Sequence, residues 1–293
     1  MPLVFKILLR LAGFYFFGGT ILFLWRKILS VFKELPIVFI FVWVWYATQL
    51  FAEPVRVGYF AVPPHVIEED GSITGACVDF FEKKIAPQMG VTVIWSKKTM
   101  SIPRILIEFQ NKRLDACLVM AKNVEREKIS YYPKVSFIES GPVLALLKDH
   151  PLKEVKTLDD ILNLNIGYGQ GAYLSPFMRD ERIKFNKISR PDWIEFNFKR
   201  LIHGRIDAFY LPERPTMLYL AKKNNAEEDI KIINLPERTK LYTIFSRNLN
   251  ENLVKRYEQA FRKVDGKATY LKFLSKYINI NRLEADDLQK DKQ

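Results

Sequence analysis

Few side chains in this chain can do covalent chemistry. The three histidines, at 65, 150 and 203, lack the close spacing of a metal site. No G-x-S-x-G segment presents a nucleophilic serine. Cys77 and Cys117 fall at a predicted helix start and in a predicted strand. Buried free thiols are the expectation there, although an exported protein could pair them. Binding chemistry is better represented. Arg126, inside "NVERE", carries a planar guanidinium able to clamp a carboxylate through two parallel hydrogen bonds. The alternative is a surface arginine on a Glu/Lys-rich turn. "GYGQGAYL", residues 167–174, reads as a Gly-rich turn feeding a helix. Its backbone N–H groups would suit an anion, or it is a plain tight turn. No GK[ST] follows, so it is not a P-loop. Tyr59, Phe60 and His65 follow the first predicted strand and either wall a cleft or pack. Asp79, Asp115 and Asp207 lie near helix or strand starts, where capping and turn roles are expected. Trp95 and Trp193 are expected in the core.

The elements that would position these residues alternate between strand and helix from Glu53 onward. "VRVGYF" is rich in strand formers. "GACVDFFEKKIAPQMG" places Val78, Phe81 and Ile85 at helical spacing, with Gly75 at its start and Gly90 as its C-cap. "VTVIW" is the next strand, so these three segments make a βαβ unit, the connection that parallel strands require. "IPRILIEFQNKR" gathers Ile102, Ile105, Leu106 and Phe109 on one helical side and leads into the strand "LDACLVM". The pattern returns in the second half. "LDDILNL" is a short helix capped by Thr157, with acids in its first turn. "NIGYG" is a strand, "WIEFNFKRLIHGR" a helix and "IDAFYL" a strand. Thus "FQNKRLDACLV" and "LIHGRIDAFYL" repeat one device: helix, basic turn, then a strand opening on Asp. The fold class is α/β with two similar lobes of ordinary domain size.

The chain has 293 residues, 48% of them hydrophobic, enough for one or two true cores. Its 45 basic and 33 acidic residues give a net charge of +12 without a dense Lys/Arg run, so no nucleic-acid signature is present. Residues 1–52 differ from the rest. An apolar block interrupted by Lys6 and Arg10 precedes "IVFIFVWVWYATQLFA", residues 37–52, which carries no charge. This second run follows Lys27 and Lys33 and is short beside the ~20 apolar residues of a spanning helix. It reads as a secretory signal cleaved after Ala52 or Ala47, or as a retained membrane anchor. A start near Val31 would leave an ordinary signal.

From about residue 53 to 285 the chain resembles the type 2 periplasmic solute-binding proteins, specifically the extracellular solute-binding family 3. The resemblance rests on "VRVGYFAVPPHV", "GSITGACVDF", "NKRLDACLVMAKNVEREKISYYP", "KTLDDILNLNIGYGQGAYL", "LIHGRIDAFYL" and the tail "ENLVKRYEQAFRKVDGKATYLKFLSKYI", in that order. It implies two Rossmann-like lobes joined by two crossing hinge strands, "GPVLALLKD" and "KLYTIFSRN". The first lobe would combine 53–146 with 240–285 and the second would span 149–238, leaving 286–293 as a polar tail. The resemblance further implies a ligand held in the cleft by hinge closure. Arg126 stands where amino-acid receptors clamp the ligand carboxylate. Gly171, Ala172 and Tyr173 would approach from the second lobe, with Ala172 where the family often has Thr or Ser. Tyr59, Phe60 and His65 would form the wall, His65 standing where an aromatic residue commonly follows the proline. The family's ammonium-binding acid falls at Pro212, with Glu213 next. Either Glu213 substitutes, or the ligand lacks an α-amine.

The implied function is an exported binding protein, not an enzyme and without a cofactor. It would capture an amino acid or related carboxylate as a monomer, for an inner-membrane ABC permease. It would work in the periplasm, free or membrane-anchored. The alternatives are a dehydratase of a cyclic carboxylate using Glu213 or His65, and a degenerate lobe pair without a small ligand.

Overall fold

The structure is a computed structural model that describes residues 53–284. The expected signal or anchor and the polar tail from 286 lie outside the described residues. Strand Glu53–Gly58 turns Val55 and Val57 inward. A helical run follows through Ala76–Phe80, a wide turn at Phe81–Ile85, and Ala86–Met89, ending at Gly90. Val78, Phe81 and Ile85 are all buried along it, as their spacing predicts. Strand Val91–Trp95 then returns parallel to Glu53–Gly58. Helix Ile102–Gln110 buries Ile102, Ile105 and Phe109 and leads into Ala116–Ala121, buried at every position. That strand is parallel to Glu53–Gly58 on its other side.

The first sheet has the spatial order 91–95, 53–58, 116–121, 239–246 and 130–131, with Ile138–Ser140 also pairing with 239–246. The second has the order 185–188, 166–169, 208–211, 143–147 and 230–234. Its strands Ile166–Gly169 and Ala208–Leu211 run parallel, joined through helix Trp193–Ile202. The two segments expected as hinge strands are full sheet members. Val143–Leu147 lies antiparallel between two strands of the second sheet, and Thr239–Ser246 lies antiparallel to Ala116–Ala121 in the first. The chain therefore passes from first sheet to second at 141–142 and back at 235–238. There the Leu235 N–H donates to the Pro142 carbonyl at 2.9 Å. Their Val-, Leu- and Ile-containing runs suit membership of a ladder.

The repeated Asp device has one geometry in both sheets. The Arg56 N–H donates to Asp115 Oδ2 at 2.8 Å, and the Asp115 N–H donates back to the Arg56 carbonyl at 2.8 Å. Likewise the Asn165 N–H donates to Asp207 Oδ2 at 2.8 Å, and the Asp207 N–H donates to the Asn165 carbonyl at 3.0 Å. Each Asp thus pins the start of its strand to the neighbouring parallel strand. Asp115 is buried and also takes the Arg56 guanidinium at 2.8 and 2.7 Å, whereas Asp207 is exposed. Asp79 pairs instead with Lys83 at 2.8 Å, one turn along its helix.

Two measurements follow. Asp115→Ala should cost about 2–3 kcal/mol in urea unfolding, because a buried, charge-assisted network loses its acceptor. Asp207→Ala should cost about 1 kcal/mol. Cys77 and Cys117 are buried free thiols, and burial pushes Cys117 up to about 12. Ellman's reagent should therefore titrate no thiol in the native protein at pH 8 and two after denaturation.

Candidate functional site

The carboxyl ends of the parallel strands in both sheets face a common cavity, the place where open α/β sheets bind ligands. Phe60 follows the end of Glu53–Gly58. Met120, Ala121 and Arg126 belong to the end of Ala116–Ala121 and the turn after it. Ala172 and Tyr173 follow Ile166–Gly169, and Leu211, Pro212 and Glu213 close Ala208–Leu211. The free volume is about 40 Å³, room for a few waters, so the two sides are nearly closed on one another.

Arg126 is held from its backbone outward. Asn123 caps the short helix Val124–Glu127 and accepts the Arg126 N–H at 2.8 Å. The side chain is 3% exposed. Nη1 donates to the Ala121 carbonyl at 2.7 Å, and Nη2 reaches across the seam to the Gly171 carbonyl at 2.8 Å. Among the described residues it forms no ion pair with a carboxylate, although taking such a charge out of water is costly without one. The cation is felt around it. Burial pushes the Tyr168 phenol up to about 12, against the opposing pull of Arg126, and its hydroxyl donates to the Ala172 carbonyl at 2.5 Å.

Glu213 reaches the cavity wall from the second side. It caps helix Arg214–Lys223 by accepting the Thr216 N–H at 3.2 Å. Its Oε2 also lies 3.4 Å from His65 Nε2, close enough for an ion pair but off hydrogen-bond alignment. His65 is fully buried and stacks on Tyr270, whose hydroxyl makes a short contact with Nδ1. The loop carrying His65 is fastened to the first crossover helix. The Ala76 and Cys77 N–H groups donate to the Pro64 and His65 carbonyls at 2.8 and 2.9 Å. Gly75 lies at φ 122°, and a Cβ there would come within 2.6 Å of the His65 carbonyl oxygen, so only glycine fits.

Arg126, Phe60, Ala172, Tyr173 and Glu213 therefore share one cavity wall, with Gly171 touching it through its carbonyl. His65 sits behind Glu213 and off the wall. Tyr59 is buried away from it, edge-on to Trp95 at 6.1 Å. The turn at 167–174 departs from expectation. No helix follows it directly, only a single 3-10 turn at Phe177–Arg179 after Pro176. The Gln170 and Ala172 N–H groups are spent on the Ile188 and Gly169 carbonyls, so an acceptor, the Gly171 carbonyl, is what the turn presents to Arg126. Trp193 was expected in the core. It packs edge-on to Phe209 and also lines the cavity. Val62, Ile102 and Ile194 are further lining residues that periodicity marks only as buried.

Gly171 also sets the fit of the two sides. It lies at φ 78°, and a Cβ there would stand 2.9 Å from Pro103 Cγ on the opposite side. Gly171→Ala should cost about 1–2 kcal/mol in urea unfolding from the left-handed backbone alone. It should also hold the seam apart, seen as an increased radius of gyration in small-angle X-ray scattering.

Neither a family model nor a curated protein sequence matches the chain. Solved structures do. A mutant of ArgBP from T. maritima aligns with TM-score 0.65 and 21% identity, over 76% of this chain and 94% of that one. An ancestral arginine-binding protein bound to arginine aligns with TM-score 0.64 and 24% identity, over 77% and 98%. The substrate binding protein of an amino acid ABC transporter aligns with TM-score 0.62 and 20% identity, over 76% and 98%. At these identities the likeness is one of fold: the chain has the two-lobed α/β fold of the type 2 periplasmic solute-binding proteins.

Proposed function

We propose that this chain is an exported solute-binding protein that captures a small carboxylate between its two lobes, with Arg126 as the anchor. The observation that carries the reading is the Arg126 guanidinium. It is buried at the seam, held by carbonyls from both sides, and has no carboxylate partner among the described residues. A ligand carboxylate would supply that missing charge. The lobes would be lobe one, built on the first sheet, and lobe two, built on the second. Binding would favour the closed arrangement through contacts that only that arrangement makes. The apolar run ahead of Glu53 supports export to the periplasm, and the likeness to an ABC transporter's binding protein supports delivery to an inner-membrane permease. A binder is favoured over a dehydratase because His65, one of the two candidate acids, is enclosed behind Glu213.

A thermal-shift screen against amino acids and organic acids tests this. A ligand at 100 times its dissociation constant should stabilise the protein by about 2.7 kcal/mol. Arg126→Ala should remove the shift, since losing one partner of a buried charge pair costs about 2–5 kcal/mol of binding. A carboxylate whose shift survives Arg126→Ala unchanged would displace Arg126 as the anchor.

A further inference from the structure

We infer that the ligand is an apolar carboxylate without an α-ammonium group, an aliphatic or aromatic acid in place of a polar amino acid. This rests on the carboxylate-binding reading above and narrows it.

Two independent observations carry it. The first is that each acceptor an ammonium could use already has a protein group against it. Glu213 is the one acid on the cavity wall among the described residues. It accepts the Thr216 N–H at 3.2 Å, and His65 Nε2 stands 3.4 Å from its Oε2. The nearby carbonyls are taken as well. The Ala121 carbonyl accepts from Arg126 and from Tyr132, the Gly171 carbonyl from Arg126, and the Ala172 carbonyl from Tyr168. An ammonium would have to share an acceptor with one of these donors.

The second observation is the lining. Apart from Arg126, Glu213, the Tyr173 hydroxyl and the Trp193 indole N–H, the lining side chains are apolar, with Phe60, Ile102, Met120 and Leu211 making up much of it. Against these side chains a polar ligand group would meet few partners, whereas a hydrocarbon tail loses only contact with water.

The test is calorimetric titration of the purified full chain with two matched pairs, isocaproate against L-leucine and hydrocinnamate against L-phenylalanine. The deaminated acid of each pair should bind at least tenfold more tightly, and Arg126→Ala should abolish that binding. His65→Asn frees Glu213 and should shrink the tenfold preference by raising amino-acid affinity. The wild-type ratio decides even if that variant fails to fold. Amino acids binding as tightly as their deaminated partners, or arginine and glutamate binding while all four probes fail, would overturn this inference and leave the Arg126 reading standing. If no carboxylate binds at all, both fall.

Discussion

A guanidinium buried in an apolar seam constrains everything around it. Arg126 has left water, so its donors need acceptors, and the fold places two carbonyls for the guanidinium. The Ala121 carbonyl is available because its strand ends there, and the Asn123 cap turns the chain so that the side chain points back toward that strand end. The second acceptor belongs to the opposite side. Through Gly171, the closure of the two halves and the satisfaction of this one cation become a single problem. Under the proposed function, a ligand carboxylate would enter that same balance and link binding to closure.

The two sheets deliver these groups to one place because parallel strands all finish at the same edge. In each sheet an Asp at the start of a strand locks it reciprocally to its neighbour, so the register at the far ends is set by hydrogen bonds at the near ends. Only two short segments, at 141–142 and 235–238, connect the sheets, and a hydrogen bond between Leu235 and Pro142 ties them together. Each half is therefore held stiffly within itself and narrowly to the other, the construction that hinge closure uses.

His65, Tyr270 and Glu213 form a second polar contact across the seam, and its surroundings decide its character. The imidazole lies between Tyr270 and Phe137 with no exposure, so the contact operates in a low-dielectric setting. Glu213 is both a helix cap and a cavity wall. Its carboxylate is held by the Thr216 N–H of the Arg214–Lys223 helix and lies 3.4 Å from His65 Nε2 of the other half. The cavity thus presents one cation with no carboxylate partner among the described residues and one anion beside an imidazole.

Much of this was legible in the amino-acid order. The spacing of Val78, Phe81 and Ile85 determined a buried helical face, Gly90 its end, and the repeated strand-opening Asp the doubled architecture, because these depend on neighbours within a few residues. Arg126 and Glu213 could be singled out as charges in suggestive places. Only the tertiary structure decided what they meet. Periodicity reports that Trp193 or Ile102 is buried, but not that each also borders a cavity. Strand composition marks 143–147 as a ladder member without naming the sheet. The contacts of Arg126 with Gly171, and of His65 with Glu213, join residues 45 positions apart in one case and far more in the other. They exist because the strand ends of two sheets meet at one cavity, and local sequence carries no record of that distance.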